Sequence, residues 1–116
     1  HLDVPKRYGF TVHNRYVSVE YEAMIREVLR AAIERGIGLE INTGTARRTV
    51  GEPSPDVGVL HWYRELGGEI VTVGSDAHRA EDMAYGFDHA AAMLQAAGFR
   101  AIAGYDRRTP FFVDLR

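Results

Sequence analysis

Short runs of β-branched and aliphatic residues alternate with longer stretches of helical periodicity along this chain, and that alternation limits the folds open to it. Met24, Ile25, Val28, Leu29, Ala32 and Ile33 recur at helical spacing, which predicts a helix with one buried face. Ser18 is its candidate N-cap, Glu20 and Glu22 lie in its first turn, and Gly36 ends it. Leu39-Glu40-Ile41 reads as a short strand. A second helix is predicted from Ser54 to Leu66, with Pro55 in its first turn, Asp56 beside it and Gly67-Gly68 at its end. The strand Ile70 to Val73 follows, then a helix from Phe87 to Ala97 stopped by Gly98. Two short strands, near Ala101 to Ala103 and near Phe111 to Val113, close the chain. Residues 1–17 and 43–55 read as loops. The order helix, strand, helix, strand, helix, strand implies βαβ units and parallel strands, hence an α/β fold.

The chain has 116 residues, of which 46% are hydrophobic, enough for a single domain with a real core but not for two. Chains of this size bury roughly two thirds of their unfolded surface. The net charge is −2 and the Lys and Arg are scattered, which gives no footprint for nucleic acid and no basic patch for a membrane surface. No apolar run reaches the roughly 18 residues of a membrane span, and no signal-peptide pattern is present. Cysteine is absent, so disulfides and thiolate metal sites are excluded. A cytoplasmic protein is the expectation. The chain opens at His1 rather than Met, and His1-Leu2-Asp3-Val4 has the character of an internal segment, so a piece of a longer protein is also expected.

The segment Gly74-Ser75-Asp76-Ala77-His78-Arg79 carries the strongest chemical signal. It follows the Ile70 to Val73 strand, so it presents Asp76 and His78 at a strand tip. Residues i and i+2 of an extended segment point the same way. A carboxylate and an imidazole so paired suit a divalent ion such as Zn²⁺, Mn²⁺ or Fe²⁺. The end of a strand is also where alternating β/α folds place their chemistry. The competing reading is a capped turn in which Asp76 starts a helix. His61 and His89 fall within predicted helices and read as packed or surface histidines, while His13 lies in a polar loop and is ambiguous. His1-x-Asp3 repeats the i, i+2 pairing of histidine and aspartate. Arg47-Arg48 follows the strand tip at Asn42; such a pair either offers planar forks to phosphate oxygens or is a solvated loop, and Arg7 presents the same choice. Glu40 stands within a hydrophobic strand, where a buried carboxylate must be paired or hydrogen-bonded.

Taken together, these segments resemble the C-terminal portion of a histidinol-phosphate phosphatase of the polymerase-and-histidinol-phosphatase (PHP) superfamily. The matching stretches are His1-Leu2-Asp3 with Lys6-Arg7-Tyr8, then Leu39 to Gly44, Arg47 with Val50-Gly51-Glu52-Pro53, and Gly74 to Arg79 with Glu81-Asp82. The tail Ala96-Ala97-Gly98-Phe99 and Arg107 to Phe112 also fits. Ser-Asp-Ala-His alone is widely shared in the superfamily; its combination with Glu-Ile-Asn-Thr and Val-Gly-Glu-Pro narrows the match. The resemblance implies the C-terminal part of a distorted (β/α)₇ TIM-like barrel, with parallel strands alternating with helices. It implies two or three divalent metal ions (Zn, Mn or Fe) at the C-terminal strand ends. Carried over by position, His1, Asp76 and His78 resemble metal ligands, with Asp76 and His78 also the catalytic candidates. Arg7 and Arg47 resemble phosphate-binding arginines, and Glu40, Asn42 and Arg79 would lie behind them or touch substrate. The implied reaction is hydrolysis of a phosphomonoester, L-histidinol phosphate, to the alcohol and phosphate, in histidine biosynthesis.

The family pattern starts with a His-x-His pair that this chain lacks. The isolated 116 residues are therefore expected to be inactive, and the missing N-terminal part of the same protein or a second copy is the expected partner. Two other readings compete. One is a non-catalytic binding or assembly module that kept the fold without the full metal set. The other is an exonuclease-type PHP domain, against which the balanced charge argues.

Overall fold

The computed structural model describes residues 2, 3, 6, 8, 9, 12, 15–47 and 51–115. Two of the sequence candidates, His1 and Arg7, lie outside the described residues, as does His13. Within residues 1–17, expected to be loop, the described Lys6, Tyr8, Gly9 and Val12 are helical.

The first helix is entered differently from the expectation. Ser18–Tyr21 form a 3₁₀ turn, and the α-helix proper, α1, is Glu22–Glu34. Ser18 sits inside the turn rather than at its cap, and neither start has a side-chain cap bond. The turn is held instead by the Glu20 N–H, which donates to Val17 O at 3.1 Å. The end is as expected: Gly36 takes φ +65°, a left-handed conformation that costs glycine nothing.

Strand β1, Leu39–Asn42, pairs in parallel with β2, Val71–Gly74, so that Asn42 and Gly74 end side by side. Between them runs α2, Val57–Glu65. It begins at Asp56, whose Oδ1 accepts from the Val59 N–H at 3.2 Å, and not at Ser54. The reason lies in the backbone. Ser54 exchanges two hydrogen bonds with Asn42, of 2.7 and 3.0 Å, so its groups are already committed to a β-bridge. Pro55 follows that bridge through a cis peptide and stands before the cap. Helix α3, Phe87–Ala96, stops at Gly98, again at positive φ.

The chain ends in an antiparallel hairpin, β3 (Ala101–Asp106) and β4 (Thr109–Asp114), which departs from the expected run of parallel strands. Arg107 and Arg108 take φ +45° and +70°, the two-residue primed turn that matches strand twist and can only reverse the chain. Neither residue is a Gly or Asn, so nothing in the local sequence announces it. β3 runs beside β2 without a ladder joining them among the described residues.

The core explains the alternation of residues in the parallel pair. Ile41 and Val71 are fully buried, and Leu39 and Val73 pack beside them against Leu29, Leu60 and Leu94 from the three helices. Tyr63 is 2% exposed; it stacks on Phe99 at 6.3 Å between centroids, and its hydroxyl donates to Ile70 O at 3.2 Å. The other face of the strands carries Glu40, Asn42, Thr72 and Gly74, by the two-residue period. Glu40 is exposed on that face, not buried as its setting in an apolar strand suggested. Its carboxylate lies over Gly74, where an added Cβ would come within 3.2 Å of it. The molecule is thus a mixed α/β structure, and among the described residues its small parallel sheet has helices packed on one face.

Candidate functional site

Because β1 and β2 are parallel and in register, the segments leaving their C-terminal ends are neighbours. Thr43–Arg47 leaves β1 as a 3₁₀ turn, and residues 75–79 leave β2. Residues 28 to 31 positions apart in sequence meet there.

The 75–79 segment is not extended. Asp76 takes φ +49°, a left-handed conformation that few residues other than glycine adopt, aspartate being among the more tolerant. In an extended strand successive carbonyls point in opposite directions. Here the carbonyls of Ser75 and Asp76 converge, and Arg47 Nη2 donates to both, at 2.8 and 3.0 Å. The Asp76 carbonyl also accepts from His78 Nδ1 at 2.8 Å. Asp76 and His78 therefore face each other through a turn and not through strand alternation; Nδ1 of His78 lies 4.0 Å from Asp76 Oδ1.

The bond to a carbonyl sets the histidine's tautomer. Nδ1 must carry the proton, which leaves the lone pair on Nε2. A metal-ligating histidine is commonly oriented in this way, by donating its other N–H to a backbone carbonyl. The His78 side chain is 73% exposed and that of Asp76 41%. The pair places an imidazole and a carboxylate together beyond the end of β2. Among the described residues, however, no three His, Cys, Asp or Glu side chains come together to hold an ion.

Arg47 is drawn inward. Its side chain is 17% exposed, Nη1 pairs with the Asp82 carboxylate, and the guanidinium lies 5.7 Å from the centre of the Tyr85 ring. Nε is buried without a hydrogen-bond partner. Thr43 Oγ1 donates to Tyr85 O at 2.5 Å, fastening the same two segments. Tyr85 was not singled out by sequence, and Asp82 and Thr43 entered only as members of the matching stretches. No local pattern could have paired Asp82 with Arg47, because the contact depends on the register of β1 against β2. Arg79, considered as a substrate contact, is exposed and lies 3.9 Å from Glu81.

His1 and Arg7 flank residues that are described. Asp3 and Lys6 are each 6% exposed. The Lys6 ammonium is 3.4 Å from Glu52 Oε2, and the Lys6 N–H donates to Asp3 O at 2.7 Å. Burial pushes the Asp3 carboxyl above its usual range, opposed by the Lys6 charge and a hydrogen bond with Ser54. The segment bearing the two candidates is thereby tied to the Glu52–Ser54 loop, whose Ser54 is bridged to the end of β1.

No family model matches the chain. It is similar to a probable histidinol-phosphatase of Thermotoga maritima, 31% identical over 106 residues, which are 89% of this chain and 42% of that protein. A probable histidinol-phosphatase of Clostridium acetobutylicum is 31% identical over 103 residues, covering 88% of this chain and 40% of its own length. The histidinol-phosphatase of Lactococcus lactis subsp. lactis is 30% identical over 108 residues, 90% of this chain and 39% of its own. The chain spans about two fifths of the length of the curated relatives it matches. The resemblance carried by the His1-Leu2-Asp3, Glu40-Ile41-Asn42-Thr43 and Ser75-Asp76-Ala77-His78 stretches is thus matched by similarity along nearly the whole chain, which is a relative of part of the histidinol-phosphatases.

Proposed function

We propose that this chain is the C-terminal portion of a PHP-type histidinol-phosphatase, supplying part of a metal-dependent site for hydrolysis of L-histidinol phosphate. The observation that carries the reading is the Asp76–His78 turn at the C-terminal end of a parallel pair, in a chain whose relatives bear that name. The sheet supports a barrel fragment. Parallel sheets are ordinarily covered on both faces, and here the second face is polar and uncovered among the described residues. In a completed (β/α)₇ barrel, Glu40, Asn42 and Thr72 would face the interior, with further strands on the open edges. The reading implies a biosynthetic enzyme of the cytoplasm.

His1, Asp76 and His78 would hold divalent metal (Zn, Mn or Fe), through Nε2 in the case of His78. Such ions, when bound, polarise phosphoryl oxygens and lower the pKa of water. The chain's own residues then have distinct tasks. Arg7 would pair with phosphoryl oxygens and stabilise their charge. Arg47 could do so only by releasing Asp82 or the Ser75 and Asp76 carbonyls, since its two terminal nitrogens are engaged. Asp76 and His78 could pass a proton to the departing alkoxide, but groups that also ligate a metal are weak acids for that task.

A second reading, a non-catalytic assembly module, is favoured by the lack of a three-residue ligand group among the described residues. Phosphate release from L-histidinol phosphate separates the two. The chain alone, with Mn²⁺ or Zn²⁺, should be inactive. Fused behind the N-terminal part of the Thermotoga maritima relative, it should turn over, and Asp76→Asn or His78→Ala should each abolish that activity. Turnover by the isolated chain would refute the incomplete site; a fusion indifferent to both substitutions would refute the assignment of Asp76 and His78.

A further inference from the structure

The Thr43–Arg47 turn meets the 74–76 backbone at three points: Thr43 Oγ1 comes within 3.3 Å of Gly74 O while donating to Tyr85 O, Gly44 packs directly against Ser75 and Asp76, and Arg47 bonds two carbonyls. The third point depends on the conformation of Asp76. With its backbone turned to φ +49°, in place of an extended strand, the Ser75 and Asp76 carbonyls meet on one guanidinium nitrogen. The guanidinium is in turn fixed from the far side, by the Asp82 carboxylate and the Tyr85 ring. An arginine suits this task because its planar fork presents several donors in fixed directions, which an ammonium cannot do.

We propose that Arg47 is a positioning residue: with Asp82 and Tyr85 it latches Asp76 in the left-handed conformation and so sets where the Asp76 carboxylate and the His78 ring lie. His78 is included because its ring is aimed by the same Asp76 carbonyl that Arg47 holds. Arg47 then acts on the site through the backbone it holds. The functional meaning of the latch rests on the metal-site reading above, but the latch itself can be tested without metal.

The test is NMR on the 116-residue chain. Backbone order parameters at Asp76, Ala77 and His78 should be near 0.85 in the parent and fall below about 0.6 in Arg47→Met. Those at Ile41 and Leu60 should not change, which separates a released turn from a damaged fold. The ¹⁵N shifts of the His78 ring should lose their Nδ1–H signature in the same variant. Arg47→Lys should restore the charge opposite Asp82 but not the order of the turn. Asp82→Asn, which leaves the arginine in place, should loosen the turn in the same sense and to a smaller extent; it serves as the test should Arg47→Met fail to fold. Unchanged order parameters at 76–78 in Arg47→Met and Asp82→Asn would overturn the proposal. Manganese ions added to the parent chain supply a separate arm. Broadening of the His78 ring signals in the parent, lost in Arg47→Met, supports both readings. A turn loosened by Arg47→Met with no manganese effect at His78 supports the latch and shows that this chain alone does not hold the ion.

Discussion

Gly44 is the place where the two strand-end segments touch most closely, and Gly44→Ala tests that contact. A Cβ built there falls 2.8 Å from Ser75 O, 2.9 Å from Asp76 Cβ and 3.0 Å from Asn42 Oδ1. Two of those atoms belong to backbone or are fixed to it, so no rotamer change makes room. The third accepts the Gly44 N–H at 2.9 Å and cannot leave without cost. Forcing a methyl into a packed contact costs about 1–3 kcal/mol. Gly44 is not at positive φ, so alanine there also restricts the unfolded chain, a gain of about 0.4–1 kcal/mol. The net expectation is a loss of about 1–2 kcal/mol. Displacement of the turn would also lengthen the Arg47 bonds to Ser75 O and Asp76 O, so the loss should be felt at His78. Urea denaturation supplies the first measurement, as a lower midpoint at unchanged slope. The His78 ring shifts supply the second. An alanine variant as stable as the parent, with an unmoved His78 ring, would show that the two segments are not in contact and would remove the basis for the latch.

Leu60 is fully buried between the helices and the sheet, so Leu60→Ala should cost about 2–5 kcal/mol in the same assay. Tyr63→Phe removes only the bond to Ile70 O, a carbonyl that still accepts from the Leu39 N–H, so the loss should be about 0.5 kcal/mol, at the low end for a hydrogen bond. Burial, with the charges of Asp3 and Asp56 nearby, pushes the Tyr16 phenol up to about 12. A group raised on folding lends stability that is complete below its unfolded pKa of about 10 and lost as pH climbs toward 12. Tyr16→Phe should therefore flatten the alkaline limb of stability between those values, and absorbance at phenolate wavelengths should show one late-titrating tyrosine fewer.

The parallel pair, the helix ends at Gly36 and Gly98, and the position of the Asp76–His78 segment just past a strand could all be read from residue patterns, because each follows from local periodicity or from a glycine's tolerance of positive φ. The rest depends on partners distant in sequence. Ser54 and Pro55 resemble a helix start, yet the bridge from Ser54 to Asn42 delays that start to Asp56. Glu40 reads as buried in an apolar strand, but it lies on the face that no helix covers. The alternation rule that placed Asp76 and His78 on one side assumes an extended chain, and the left-handed turn at Asp76 breaks the assumption while still bringing the two together. Arg47 has the right residue type for phosphate. Its inward engagement follows from Asp82 and Tyr85, which only the tertiary arrangement supplies.

The one-sided covering of β1 and β2 has a consequence for measurement. Among the described residues the ladder has helices on one face, and on the other half-buried Asn42, Thr72 and Gly74 beside exposed Glu40. Anything that settles on the Glu40, Asn42 and Thr72 face binds only the closed ladder, and adds to that free energy in proportion to the logarithm of its concentration over its dissociation constant. Amide hydrogen exchange at Ile41 and Thr72, whose N–H groups donate across the ladder, would slow by the same factor. The small sheet is therefore a reporter, read residue by residue, of whatever completes the fold around it.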